Sequence, residues 1–318
     1  MCKSNRLNFL NPLGQLHLCF SGLLLALYPL PAQGRAAADL SGFRGTAALA
    51  DTKRAVSFGE RPSGSQAMTH LREWITSELK RTGGDLSLDS FQGATPAGPV
   101  PMVNLILKFS GTSGKAIAVT GHYDTKSIPM IHFVGANDGG SSTGFLIEFA
   151  HAVATIKHRD DIFIVFFDGE EAVGNWSERD SLYGSRHLAA KWGADGTLAR
   201  LKALINVDMI GDKDLDINND GNSSESLRGQ VFEIAAKLGD TKSFRRDAGA
   251  IDDDHVPFVN AGANAIDIID LDYGPTSAQS PNGAYWHTAG DTMDKLSAHS
   301  FQVVGDVVLE LVRELDRG

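Results

Sequence analysis

Apolar positions along this chain fall into two rhythms. Met68, Leu71, Ile75 and Leu79 recur at helical spacing and predict a helix over about 66–81. Leu146, Phe149, Ala150 and Val153 line one face of a second helix that starts near Ser141 or Ser142. Residues about 184–192 and 226–238 read as helices, and Phe301, Val304, Val308, Leu311, Val312 and Leu315 form the stripe of a closing one. The other rhythm is the short unbroken run. Ile162 to Phe167 is apolar throughout, as a strand buried on both faces must be, and Ala203–Met209 and Ala265–Ile269 repeat that character. Met102–Phe109 and Ala116–Thr120 read as strands, with the turn Gly111-Thr-Ser-Gly114 between them. Strands alternating with helices predict an α/β fold: a three-layer α/β/α sandwich around a mostly parallel mixed sheet.

The first residues break this pattern. Residues 1–34 contain Lys3 and Arg6 and no acid, then an apolar stretch from about Leu16 to Leu27, then prolines and small residues. Basic, apolar and small segments in that order read as a signal peptide, and the apolar stretch is short for a membrane span. The expected organisation is a signal peptide over 1–34, a flexible lead-in over 35–45, and one catalytic domain over 35–318. The expected location is the periplasm or the exterior. Cys2 and Cys19 both lie in the leader, so thiolate chemistry and cysteine-type zinc sites are excluded from the rest. The formal charge is −10 and no basic run is interleaved with aromatics, which argues against a nucleic-acid partner. No stable membrane partner is expected, and the expected state is a monomer.

In a sheet of this kind ligands gather at the carboxyl ends of the strands. Acids and histidines stand there repeatedly: His122-Tyr-Asp124, Asp138 in a glycine-rich loop, Asp168-Gly-Glu-Glu171, Asp208, Asp252-Asp-Asp-His255 and Trp286-His-Thr288. Zinc takes imidazole nitrogen and carboxylate oxygen, commonly with three protein ligands and one open position when catalytic. Glu170-Glu171 offers two roles, one carboxylate for metal and one for moving protons. The plain alternative is two solvated acids opening a loop.

These residues also carry a resemblance. The segments Phe58-Gly-Glu-Arg-Pro-Ser-Gly-Ser65, His122–Lys126, Phe166–Ala172, Trp176, Asp180–Leu188, Asp253–Phe258 and Trp286–Thr288 resemble the glutaminyl-peptide cyclotransferases (glutaminyl cyclases), relatives of the co-catalytic zinc aminopeptidases. The resemblance implies one zinc ion on Asp138, Glu171 and His287. It implies that Glu170 takes a proton from the substrate amine and returns one to departing ammonia, supported by Asp208 and Asp253. It implies pocket walls at Trp176 and Trp286, with His255 and Lys126 nearby. The substrates would be peptides or proteins with N-terminal glutamine, converted to pyroglutamate. Two departures stand out. Gly121 and Thr143 occupy the places of a disulfide in the animal enzymes, and Asn282 stands where an aromatic is expected four positions before the late tryptophan.

The nearest alternative is a zinc aminopeptidase with two metals, the second held with His122 and Asp208. The plain alternative for Trp176 and Trp286 is core packing, against which their places beside Glu171 and His287 favour pocket walls, and His255 could equally be a satisfied structural histidine. Gly140-Ser-Ser-Thr-Gly144 copies a nucleophile elbow around Ser142, but its approach reads as loop rather than strand. Asp216, Asn218, Asp220 and Gly221 copy the start of a calcium loop, but Leu227 stands where the bidentate glutamate belongs, so a solvated acidic turn is the expectation.

Overall fold

The computed structural model describes residues 42–318; the predicted leader and most of the lead-in lie outside the described residues. Six strands form one sheet in the order β1-β2-β4-β3-β5-β8: β1 (Asp85–Thr95), β2 (Gly98–Phe109), β3 (Ala116–His122), β4 (Asp161–Phe167), β5 (Leu201–Asp208) and β8 (Ala265–Ile269). β4, β3, β5 and β8 pair parallel; β2 runs antiparallel to both β1 and β4. β3 and β4 are buried along their whole length, which explains the apolar runs Ala116–Val119 and Ile162–Phe167. The remaining strands, β6 (Ile217–Asp220) and β7 (Phe244–Gly249), form a small parallel ladder of their own.

Helices cover both faces. They are α1 (Gly45–Val56), α2 (Gln66–Leu79), α3 (Gly140–Val153), α4 (Tyr183–Asp195), α5 (Glu225–Leu238), α6 (Val256–Asn260) and α7 (Ala298–Arg317). One cluster joins α1, α2, α3, α5 and α7 to one side of the sheet; a second joins α4 and α6 to the other through Phe163, Trp192 and Phe258. The α/β/α reading is borne out. No helix among the described residues is long and apolar enough to cross a membrane.

One expectation needs correction, and two elements went unread in the sequence. The segment before Met102, unassigned from the sequence, is strand: β1 and the start of β2 form a long antiparallel ribbon. β2 and β3 follow each other in sequence but do not pair, because β4 lies between them. Helix α1 begins where the flexible lead-in was expected to end, and it packs on α3 and α7.

Candidate active site

The parallel strands deliver their ends to one place. β3 ends at His122, β4 at Phe167 just before Asp168-Gly-Glu-Glu171, and β5 at Asp208. Asp138 arrives from the loop between β3 and α3, and that loop is held firmly. Arg61 is fully buried and donates to the carbonyls of Gly59, Val134 and Gly135 at 2.7, 2.7 and 2.9 Å. Asp291 accepts from the backbone N–H groups of Asn137 and Asp138 at 2.8 and 3.2 Å and from the Tyr273 hydroxyl at 2.9 Å. Gly139 has φ of 76°, and a Cβ there would lie 2.2 Å from the Asp124 carbonyl oxygen, so this turn requires glycine.

Glu170 and Glu171 sit on a turn tied down by another carboxylate. Asp124 accepts from both of their backbone N–H groups at 3.2 Å. Leu182 and Tyr183 donate in turn to the Glu170 and Gly169 carbonyls. His287 stacks on Trp286, ring centroids 4.0 Å apart, and meets the edge of Phe133. Leu182, Met209 and His287 are three non-glycine residues with left-handed backbone, and all three stand at the site's margins.

Two groups of ligand-type atoms result. Asp138, Glu171 and His287 form one; His122, Asp138 and Asp208 form the other, and within each group the atoms lie within 4.8 Å of one another. His287 Nε2 is 3.2 Å from Asp138 Oδ2 and 3.0 Å from Glu171 Oε1. A single N–H cannot satisfy both carboxylates. Asp138 Oδ2 is buried and has no hydrogen-bond partner. Ligand atoms around a tetrahedral zinc at about 2.0–2.1 Å lie roughly 3.3 Å apart, so this donor set and spacing fit the ion. Asp138 also presents Oδ1 to His122 Nε2 at 3.3 Å, and that nitrogen lies 3.0 Å from Asp208 Oδ1.

Acids are crowded together at this site, and their electrostatics show it. Burial alone would lower the His287 pKa, yet the neighbouring Asp138 and Glu171 carboxylates raise it to about 10. Burial, with Glu171, Asp253 and Asp254 close by, pushes Glu170 well above the usual carboxylate range against the opposing pull of His122. Burial pushes Asp208 up to about 7, with Asp253 and Asp138 adding and His122 opposing. A bound divalent cation would relieve this crowding.

The pocket above these groups has a volume of about 250 Å³. Asp138, Glu170, Glu171, Asp208, Asp253 and His287 line it, with Trp176 and Trp286 among its walls and Asn282 at the predicted aromatic position. Two expected residues do not face it. His255 is fully buried, with Nε2 2.9 Å from Asp220, because α6 turns it inward toward β6. Lys126 instead reaches behind the wall, 3.3 Å from Glu171 Oε2 and from the Ala172 carbonyl. Ser142 is buried and donates to the His122 carbonyl at 2.6 Å, so it is no nucleophile. Asp220 accepts from Ser223, Asn222 and Ile251, which leaves no open calcium loop at that acid. Arg61 and Asp291 were missed as site residues, and Asp124 was seen at its strand end without a role, because all three act on backbone groups.

This fold and this site define a metal-dependent enzyme of the α/β exopeptidase type. The chain belongs to peptidase family M28, whose pattern matches residues 104–312. It is 41% identical to a glutaminyl cyclase from an Acidobacteriales bacterium, with 92% of this chain and 100% of that one covered and a TM-score of 0.84. The Bos taurus glutaminyl-peptide cyclotransferase is 29% identical over 291 residues, 80% of this chain and 78% of that protein. A Zn-dependent exopeptidase from Parabacteroides distasonis is 27% identical, with 85% of this chain and 98% of that one covered and a TM-score of 0.75. The resemblance read from the sequence is borne out, and family and neighbours point to zinc.

Proposed function

We propose that this enzyme is a zinc-dependent glutaminyl cyclase, which closes N-terminal glutamine of peptides or proteins to pyroglutamate and releases ammonia. The observation that carries the reading is a spare buried glutamate, Glu170, beside the convergent Asp138, Glu171 and His287, in a small pocket with two indoles. It gains support from the 41% identity to a bacterial glutaminyl cyclase.

Asp138, Glu171 and His287 would hold one zinc ion. When bound, zinc supplies Lewis acidity that polarises the glutamine side-chain carbonyl. Glu170 takes a proton from the α-amine as its nitrogen attacks the side-chain carbonyl carbon, and the new C–N bond closes the ring. Glu170 then returns that proton to the departing side-chain nitrogen as its C–N bond breaks, so it ends as it began. A carboxylate with a raised pKa suits both halves of that cycle. Nucleophile and electrophile belong to one residue, so the pocket's task is to hold a folded conformer. Trp176 and Trp286 restrict the space and help to exclude water. Asp208 and Asp253 line the pocket beside Glu170 and support the proton's movement. The leader-like residues 1–34 support export to the periplasm or the exterior.

A second reading, an aminopeptidase with two metals, is favoured by one observation: Asp138 reaches toward His122 as well as His287. Purified enzyme incubated with an N-terminal glutamine peptide and an N-terminal leucine peptide separates the two. Loss of ammonia from the first is expected; free leucine from the second, without that loss, would establish the peptidase. Zinc content of one ion per chain is expected, and two would favour the second reading.

A further inference from the structure

The acids lining the pocket are not all alike. Asp138, Glu170, Glu171, Asp208 and Asp253 are buried, and each belongs to the chemistry described above. Asp252 also lines the pocket, but it is exposed, and among the described residues its side chain makes no hydrogen bond or ion pair. Its backbone is nonetheless fastened on both sides. Ile251 donates to Asp220 at 2.8 Å, and its carbonyl accepts from Asn222 at 2.7 Å. Val256 donates to the Asp253 carbonyl at 2.8 Å. A carboxylate on so fixed a segment, beside five other acids, adds repulsion and brings no contact that helps the fold. Only Trp176 and Ala250 share its exposure among the lining residues, and Trp176 is 41% exposed. These three therefore mark the mouth.

A substrate that reacts at its first residue must leave the pocket through that mouth with its second. Consecutive Cα atoms are about 3.8 Å apart, so the second side chain emerges immediately beside the rim. A cationic side chain there would meet one unpaired carboxylate and one indole face, which attracts ammonium or guanidinium. An anionic side chain would meet the same carboxylate above a floor of acids. We propose that Asp252, with Trp176, selects substrates carrying lysine or arginine directly after the N-terminal glutamine and disfavours aspartate or glutamate there. This rests on the glutaminyl cyclase reading.

The test compares kcat/KM for three peptides that differ only at the second position, lysine, alanine or glutamate, at low and high salt. The wild-type enzyme is expected to prefer lysine over glutamate by about tenfold at low salt, and the preference should shrink as salt screens it. Asp252→Asn should lower the ratio by roughly three- to fivefold, chiefly through KM. Asp85→Asn, an exposed acid at the start of β1, should leave the ratio as it was. Equal use of lysine and glutamate peptides by the wild type would overturn the proposal. So would a ratio that survives Asp252→Asn, or one that falls as far in Asp85→Asn, which would assign the preference to the net charge. Failure to cyclise any of the three, with leucine released from a leucine peptide, would instead remove the cyclase reading itself.

Discussion

Two loops border the pocket, and they are built in opposite ways. The Asp138 loop is buried and held from several sides: Arg61 takes its carbonyls, Asp291 its N–H groups, and Asn137 exchanges hydrogen bonds with Met209 and Gly211. The Trp176 loop is exposed at seven successive residues, 173–179. It is tied mainly at its base, where Asp180 accepts from Val173, Gly174 and the Tyr183 hydroxyl, and where Arg186 reaches the Glu178 carbonyl. The difference separates two tasks. The carboxylate proposed to hold an ion is over-determined by its neighbours. The loop proposed to border the incoming peptide is left exposed.

Four substitutions grade that comparison. Glu170→Gln keeps the shape of the firm side but removes its proton carrier, and turnover should fall by about 10²–10⁴-fold with zinc retained by elemental analysis; near-normal kcat would remove Glu170 from the mechanism. Asp291→Ala should weaken zinc binding by about 10–100-fold, measured by chelator competition, because the Asn137 and Asp138 N–H groups lose their acceptor. Unchanged affinity would show that Arg61 alone suffices. Trp176→Ala on the loose loop should raise KM several-fold, on the order of 1 kcal/mol, with the melting temperature unmoved; a falling melting temperature would make that loop part of the frame.

The smallest effect belongs to a residue whose charged neighbours are Glu148, Glu78 and Arg44, far from either loop in function. Burial raises the Asp51 pKa to about 7, with Glu148 and Glu78 adding and Arg44 opposing. Its folded-state pKa lies above the unfolded value near 4, so the fold binds this proton more tightly. Stability from Asp51 therefore declines as pH rises from about 4 to about 7 and is level above that. Asp51→Asn should be neutral at pH 4 and stabilise at pH 8 by about 1 kcal/mol, a figure reduced for solvent screening at this half-buried position. Equal melting shifts at both pH values would contradict the shift.

What could be read from the sequence followed the same division. β3, β4, β5 and β8 were legible because burial on both faces leaves them mostly apolar, with Thr120, Asn206 and Asp267 as buried polar exceptions. β1 was not, because its ribbon is half exposed and polar, with Leu88 out in solvent. The acids and His287 stood out by type at strand ends, and the structure gathers them. Asp124 stood among them without a legible role, and Arg61 and Asp291 did not stand out, since a side chain that binds a backbone N–H or carbonyl has no signature spacing. His255 misled because its partner Asp220 lies 35 positions away, on a strand too short and polar to be seen.

His287 sits in a backbone twist that side chains resist, with φ of 52°. As the proposed zinc ligand, its imidazole would act as the latch on a sprung hinge, so that an ion pinning the ring would also keep residues 284–290 wound. Stripping the ion with a chelator should let that short stretch relax first, seen as quicker amide exchange there while α7 and the central strands stay protected. Uniform loosening of the whole chain would mean that the spring carries no tension.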